Sequence, residues 1–243
     1  MKRTAIVTGA SSGIGESISR LLCEMDYEVF GFGRNFEDSA LKNETHFLEG
    51  FHPVECDLLD TESLLGEVKK IREGYEVFML VNNAGVGYYG LHEELDPKKI
   101  QTMVRTNLEV PLLLTQVLLR DLKKWRGYVI NISSVTAKKS NPHGCAYGAV
   151  KAGLSSFSES LFEETRKYGV KVIDIRPDMV KTNLYRNADF CEGEEKESYL
   201  LPEDVAEAVR NLLGMRDSIV PVEITLRPQL HRIRRKKIQK KQN

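Results

Sequence analysis

Strand-like and helix-like segments alternate along this chain, which predicts an α/β fold, a doubly wound, mostly parallel seven-stranded sheet with helices on both faces. Three observations carry that expectation. Short apolar runs rich in β-branched residues recur at 4–7, 28–33, 54–56, 77–81, 128–133, 170–175 and 219–226, as strands covered on both faces require. Each crossover between them is long enough for the right-handed connection that joins parallel strands. Close behind the runs stand Gly9, Arg34, Asp57, Asn82 and Ser134, small or polar residues suited to the ligand-binding rim beyond the carboxyl ends of such strands.

The first strand, 4–7, ends at Thr8 and leads into Thr8-Gly9-Ala10-Ser11-Ser12-Gly13-Ile14-Gly15, after which Ile14, Ile18, Leu21 and Leu22 recur at helical spacing. Glycines there let the backbone turn tightly and approach a ligand, while a helix N-terminus offers unpaired N–H groups and a positive dipole end to an anion. The turn reads as a pyrophosphate cradle. Two other readings fit the octapeptide: a purely structural turn, and the G-x-S-x-G elbow that exposes a nucleophilic serine, here Ser11. That elbow needs several strands before it, and Ser11 has one.

The second strand, 28–33, gives way to a loop at Arg34-Asn35 and a polar stretch to Gly50. A short third strand, 54–56, ends at Asp57, and Leu64, Leu65, Val68 and Ile71 put a helix after it. The apolar run 77–81 ends in Asn82-Asn83-Ala84-Gly85. Asp96-Pro97 opens a helix with proline in its first turn, carrying Ile100, Met103 and Val104 toward Asn107. Pro111 predicts a kink or a new start over 107–110, with the helix then running to about Lys124. After the fifth strand, 128–133, a long helix over 146–168 presents Val150, Leu154, Phe157 and Leu161 on one face. The sixth strand, 170–175, is stopped by Pro177, a charged excursion covers 189–197, a helix opens at Pro202, and 219–226 closes the sheet.

With 243 residues, 41% hydrophobic and 29% charged, the chain can bury one sizeable core, and one domain over 1–231 is expected. Because the first strand begins by Thr4, no signal or transit peptide is expected, and the longest apolar stretch, 110–119, is interrupted by Thr115 and Gln116. The expectation is a soluble cytoplasmic protein without a membrane partner. Cys23, Cys56, Cys145 and Cys191 lack C-x-x-C or His-pair spacing, so neither zinc nor a disulfide framework is indicated; Cys145, two residues before Tyr147, is placed near the site. Basic and acidic side chains balance at 35 each, yet residues 232–243 carry seven Lys or Arg and no acid. Such a tail can attract nucleic acid or anionic membrane. It lacks interleaved aromatics and an amphipathic stripe, so a solvated, frayed terminus is expected, with no nucleic-acid partner.

Tyr147 and Lys151 are four residues apart and therefore stack on one helix face. Y-x-x-x-K is common by itself, but Ser134, at the end of the fifth strand, can converge on the start of that helix. The glycine turn, Asn82-Asn83-Ala84-Gly85, Asn107 and the Ser134/Tyr147/Lys151 set occur in an order and spacing that resemble the short-chain dehydrogenase/reductase family, over about residues 2–226. The resemblance implies a Rossmann-like sheet and a nicotinamide coenzyme. It places Gly9, Ser11, Ser12, Gly13, Ile14 and Gly15 at the pyrophosphate, Asp57 and Leu58 at adenine, and Asn83, Ala84 and Gly85 beside the adenine ribose. Pro177, Val180 and Thr182 fall on the nicotinamide side, where Thr182 fits a carboxamide contact or a helix N-cap equally. Ser134, Val135, Tyr147, Asp178 and Met179 face the substrate, in a set expected to take in Val86, Tyr88, Tyr89, Thr136 and the chain from Asp178 to Tyr185.

The catalytic set has its own physical logic. A free phenol has a pKa near 10, so Tyr147 exchanges a proton with an alcohol or carbonyl near neutrality only if its phenolate is stabilised. A neighbouring ammonium, Lys151, does this, and the resemblance adds that Lys151 holds the nicotinamide ribose, that Ser134 bonds the reacting oxygen and that Asn107 holds a relay water. Arg34 at the tip of the second strand, followed by Asn35 and with no acid there, favours NADP(H), NAD(H) remaining open. Ser12 stands where many NADP-using relatives carry a second basic residue, and Glu37 and Asp38 are near enough to compete. Two departures from the family pattern stand out: Val150 precedes the lysine in place of serine, and Asp178 follows Pro177 in place of glycine. An NADP(H)-dependent oxidoreductase interconverting a secondary alcohol and a ketone or aldehyde is the expectation, as a homodimer or homotetramer; the other reading is a non-catalytic nicotinamide-nucleotide-binding regulator on the same fold.

Overall fold

The computed structural model describes residues 2–42 and 47–236. Its main sheet has seven parallel strands: β1 (Thr4–Thr8), β2 (Glu28–Gly33), β3 (Phe51–Glu55), β4 (Val77–Asn82), β5 (Tyr128–Ile132), β6 (Lys171–Pro177) and, after a further short strand, β8 (Glu223–Leu226). They lie in the order β3-β2-β1-β4-β5-β6-β8. Order reverses between β1 and β4, which opens a crevice at their carboxyl ends.

Alternate side chains of each strand serve opposite layers. Ala5, Val7, Met79, Val81 and Ile130 meet α1 (Gly13–Glu24) and α6 (Pro202–Leu213) through Ile18, Leu22, Val205 and Val209. Ile6, Leu80, Val129 and Val172 meet α2 (Thr61–Gly74), α4 (Val110–Trp125) and α5 (Cys145–Thr165) through Leu64, Val68, Leu114, Leu118 and Leu161. The five inner strands are covered on both faces, which explains why they read as continuous apolar runs.

Five boundaries differ from expectation, each for a local reason. β3 begins at Phe51 instead of Val54, because it is an edge strand and tolerates Pro53. The helix α3 (Pro97–Val104) passes into α4 without a break, through a π-helical turn at Arg105–Glu109. The wider turn absorbs what a kink at Pro111 was expected to absorb, and the proline occupies the first turn of α4, where its missing N–H matters little. The long helix finishes in a 310 turn at Arg166–Tyr168, stopped by Gly169 at φ +79. β8 starts at Glu223 and not at 219, Pro221 and the exposed Ile219 and Val222 preceding it.

The fifth difference is the largest. The charged excursion and the start of the basic tail pair with each other, β7 (Phe190–Glu192) running antiparallel to β9 (Ile233–Arg235). Residues 232–236 are therefore not a frayed terminus, while the rest of the expected tail, 237–243, lies outside the described residues. Among the described residues no helix is long and apolar enough to cross a membrane, and no cluster of His, Cys, Asp or Glu is arranged to hold a metal.

Candidate active site

A cleft of about 290 Å³ runs along the carboxyl ends of the strands, from Arg34 and Asp57 at one end to Tyr147 and Tyr185 at the other. Its floor is built by β1 and β4. Thr8 Oγ1 accepts the backbone N–H groups of Asn83 and Ala84, each at 3.0 Å. The Asn83 amide donates to the carbonyls of Thr8 and Gly9 at 2.9 and 3.3 Å. The glycine turn is thus locked to the Asn-Ala-Gly turn. Gly9 has φ +65, and a Cβ there would lie 2.9 Å from Ala84 Cα, so this position admits glycine alone.

Ser11, Ser12, Gly13 and Ile14 line the cleft. Ser12 makes no side-chain cap bond to α1, leaving the first-turn N–H groups without that partner. Gly15 lies behind the surface: a Cβ there would overlap the Gly9 carbonyl and the Asn83 amide. Its role is close packing of helix on turn, which is what the third glycine of such turns provides.

At the far end Arg34, Asp57 and Leu58 line the cleft. Asp57 Oδ1 accepts from Leu59 N–H at 3.0 Å, fixing the turn after β3. Asn35 is not brought to the cleft; its side chain accepts the Glu37 N–H at 2.6 Å and donates to the Glu37 carboxylate at 3.3 Å. The same contacts engage Glu37 within its own loop.

The catalytic candidates converge. Ser134 and Tyr147, 8% and 4% exposed, both line the cleft, and the Ser134 Oγ accepts from Thr136 N–H at 3.2 Å. Lys151 Nζ sits 5.8 Å from the Tyr147 ring centroid and donates to the Ile132 carbonyl at 2.8 Å. Burial raises the Tyr147 phenol above its ordinary value, the Ser134 hydroxyl acting against it. Burial likewise pulls Lys151 down to about 8, with the Asp174 charge opposing. Asn107, wholly buried in the π-turn, accepts from Val86 N–H at 3.1 Å and donates to the Val86 and Met103 carbonyls at 3.0 and 2.8 Å. It braces the chain after Gly85, where a Cβ would come within 2.8 Å of Asn107 Oδ1 and 3.7 Å of Lys151 Nζ.

Helix α5 is pinned from below. Asn82 donates to Asn131 at 2.8 Å, Asn131 to Ser158 at 2.8 Å, and Ser158 to the Leu154 carbonyl at 2.8 Å. This buried chain ties β4, β5 and α5, fixing the helical rotation that turns Tyr147 and Lys151 to the cleft.

On the substrate side Pro177, Asp178, Val180 and Thr182 line the cleft, whereas Val135 and Met179 do not. Met179 is buried, its carbonyl accepting from Leu200 N–H. Asp178 is already partnered: Arg227 Nε reaches it at 3.2 Å and Met179 N–H donates to it at 3.0 Å. Thr182 caps the 310 turn Asn183–Asn187 by accepting from Leu184 N–H at 3.3 Å, and it also faces Gly13, whose Cβ would meet Thr182 Cγ2 at 3.1 Å. Cys145 is exposed and stands outside the lining. Leu184, Tyr185 and Arg186 complete this end.

One buried cluster was not anticipated. Asp174, 1% exposed, accepts from the hydroxyls of Ser133 and Ser155 and from Arg176 Nε, the last at 2.7 Å. Arg176 continues to Glu223. The signal was available: opposite charges at i and i+2 of a strand buried on both faces lie side by side and must be paired. Ser133 precedes Ser134, and Ser155 lies one turn beyond Lys151, so the cluster anchors both elements that carry the catalytic candidates.

Comparison with known proteins fits this geometry. A relative from Sinorhizobium fredii, called an uncharacterised short-chain type dehydrogenase/reductase, is 32% identical over 92% of this chain and 90% of its own length. A serine 3-dehydrogenase of Agrobacterium fabrum is 35% identical over 76% of this chain and 74% of its own. Among solved structures, an alcohol dehydrogenase from the archaeon Thermococcus sibiricus, complexed with 5-hydroxy-NADP, superposes with a TM-score of 0.82 at 28% identity, covering 96% of this chain and 98% of that one. A family model described as short chain dehydrogenase matches residues 3–190, and the chain belongs to that family of oxidoreductases.

Proposed function

We propose that the protein is an NADP(H)-dependent oxidoreductase that interconverts a secondary alcohol and a ketone or aldehyde. The observation that carries the reading is the convergence of Ser134, Tyr147 and Lys151 in the same cleft as the glycine turn and Arg34. The cradle suits a dinucleotide: Gly9 and Gly13 hold φ +65 and +59, and side chains at these positions would meet Ala84 and Thr182. Ser11, Ser12, Gly13 and Ile14 would hold the pyrophosphate, Asp57 and Leu58 the adenine, and Lys151 the nicotinamide ribose. The coenzyme, when bound, supplies the hydride donor or acceptor and a positive ring in the oxidised form.

The chain supplies position and the proton. Tyr147 Oη takes the hydroxyl proton of an alcohol, or returns one to a carbonyl oxygen, while the Ser134 hydroxyl donates to that same oxygen. Burial opposes ionisation of Tyr147, so its phenolate depends on a nearby cation. Lowering a phenol by about three units takes about 4 kcal/mol of differential interaction, within reach of an ammonium in a water-poor cleft. The Lys151 side chain is in place for this, and the Asp174 charge favours its protonated form.

Preference for NADP(H) is supported by Arg34 lining the cleft and by the engagement of Glu37 with Asn35. A guanidinium meets a 2′-phosphate with paired, charge-assisted hydrogen bonds. We further expect a homodimer or homotetramer through α4 and α5, where Leu112 is 38% exposed; light scattering at 27.6 kDa would exclude it. The function itself is tested by following NADPH absorbance with a panel of alcohols and ketones. Tyr147→Phe is expected to lower turnover by at least ~10² while coenzyme affinity holds; retained turnover refutes the acid/base role.

A further inference from the structure

An aromatic cluster backs the cleft beside Tyr147. Tyr147 packs on Tyr89 at 5.7 Å between ring centroids, Tyr89 on Phe190 edge-on at 5.2 Å, and Phe190 on Tyr185 at 5.5 Å. Tyr185 lines the cleft itself. Phe190 stands on β7, whose one strand partner among the described residues is β9.

The C-terminal segment grips this loop along its length. Phe190 pairs with Arg235, Cys191 with Arg234 and Glu192 with Ile233. Outside the ladder, Gly193 N–H donates to the Arg232 carbonyl at 3.0 Å, Lys236 N–H to Asp189 at 2.7 Å, and Leu230 N–H to Glu197 at 2.8 Å. Lys236 Nζ reaches the Tyr185 carbonyl at 2.5 Å. Arg232 pairs with Glu195, and Arg234 with Glu194 at 2.7 Å. Two basic residues of the tail, Arg232 and Arg234, are thus paired with acids of the excursion.

We infer that residues 230–236 brace the substrate wall: Arg232 and Arg234 are positioning residues that hold Tyr185 and Phe190 against Tyr89 and Tyr147, and so set substrate affinity. An isolated two-stranded ribbon is marginal in water, and exposed ion pairs contribute little singly. The brace therefore depends on strand, ion pairs and aromatic packing acting together, and reversing its charges is enough to loosen it. The apolar wall it holds suits the hydrocarbon arm of an alcohol, with the carbinol at Tyr147. This part rests on the proposed alcohol oxidation.

Three proteins test it: the double variant Arg232→Glu/Arg234→Glu, the same variant with Glu194→Arg and Glu195→Arg added, and a chain ending at Gln229. Amide hydrogen exchange over 184–192 reads the wall without any turnover, and is expected to quicken at least ~10-fold in the double variant and the shortened chain, then recover on charge exchange. KM for a turned-over alcohol is expected to rise at least ~5-fold with the same recovery, while the coenzyme Kd stays within about twofold. Unchanged exchange in the double variant overturns the brace, as does quickened exchange that the swapped pairs fail to restore. Should the shortened chain not fold, the two full-length variants decide. Absence of turnover in the native protein with altered exchange in the variants would overturn the alcohol reading and leave the brace standing.

Discussion

Replacing Lys151 by methionine removes a buried ammonium and keeps a side chain of similar length. Burial pulls this group from the ordinary 10.5 down to about 8. Between those values the unfolded chain binds more protons than the native one, so this group makes native stability rise with pH across the window; its full burden is present below pH 8. The gap corresponds to about 3 kcal/mol. Methionine carries no such burden, but it strips the Ile132 carbonyl of its 2.8 Å donor, which costs about 1–3 kcal/mol at every pH. Urea unfolding of both proteins at a series of pH values separates the two effects. The unfolding free energy of the native protein minus that of Lys151→Met is expected to climb by about 3 kcal/mol from pH 7 to 10.5. The difference is the quantity to read, because Cys23, pushed up to about 12 by burial, and the buried phenols of Tyr89, Tyr147 and Tyr185 erode both proteins as pH rises above their unfolded values. A flat difference would refute the depressed lysine.

Other outcomes follow from single contacts. Arg34→Asp should invert the ratio of kcat/KM for NADPH over NADH, by about ten- to hundredfold for one or two charged hydrogen bonds; an unchanged ratio means Arg34 does not read the phosphate. Gly15→Ala should lose about 1–3 kcal/mol from overlap with Gly9 and Asn83, together with coenzyme binding, since the overlap is at the cradle; normal binding by calorimetry contradicts the packing role. Asp174→Asn leaves the buried Arg176 with Glu223 as its one acid partner among the described residues, an expected loss of about 2–4 kcal/mol and about 5–15 °C in Tm. Asp178→Gly frees Arg227 and should reorder substrates by kcat/KM with little change in NADPH affinity; the opposite pattern assigns Asp178 to the coenzyme loop.

What the chain discloses without coordinates follows from how local each signal is. The glycine turn and the Tyr147/Lys151 spacing are carried by contiguous residues, and helix or turn geometry alone brings them together. Ser134 required one inference about strand ends. Asn107 was legible as a position but not as a brace of Val86, because the π-turn that buries it leaves no signature beyond a nearby proline. Asn35 was placed in the cleft by adjacency to Arg34, yet its side chain satisfies its own loop, as asparagines at turns commonly do. Val135 and Met179 were likewise named by adjacency to Ser134 and Asp178. The pairing of 190–192 with 233–235 was invisible: each strand is three residues long and charged, and more than 40 positions separate the partners. Only their opposite charge hinted at a meeting.

Pro53 has a consequence for how molecules of this protein meet one another. Val29 N–H donates to the Gly50 carbonyl at 2.8 Å and Cys56 N–H to the Gly33 carbonyl at 2.9 Å. The amides of residues 52, 54 and 56 therefore turn inward to β2, and those of 51, 53 and 55 outward. Phe51 N–H is taken by the Leu48 carbonyl at 2.9 Å, and proline has none to give. Among the described residues of this border one outward donor remains, on Glu55, beside a carboxylate. An incoming strand from another chain meets a ladder short of donors, so crowding should only weakly drive edge-to-edge pairing here. Pro53→Thr would restore a second donor on a strand-favouring residue, and it is expected to aggregate faster than the native protein on mild heating, by thioflavin fluorescence and turbidity.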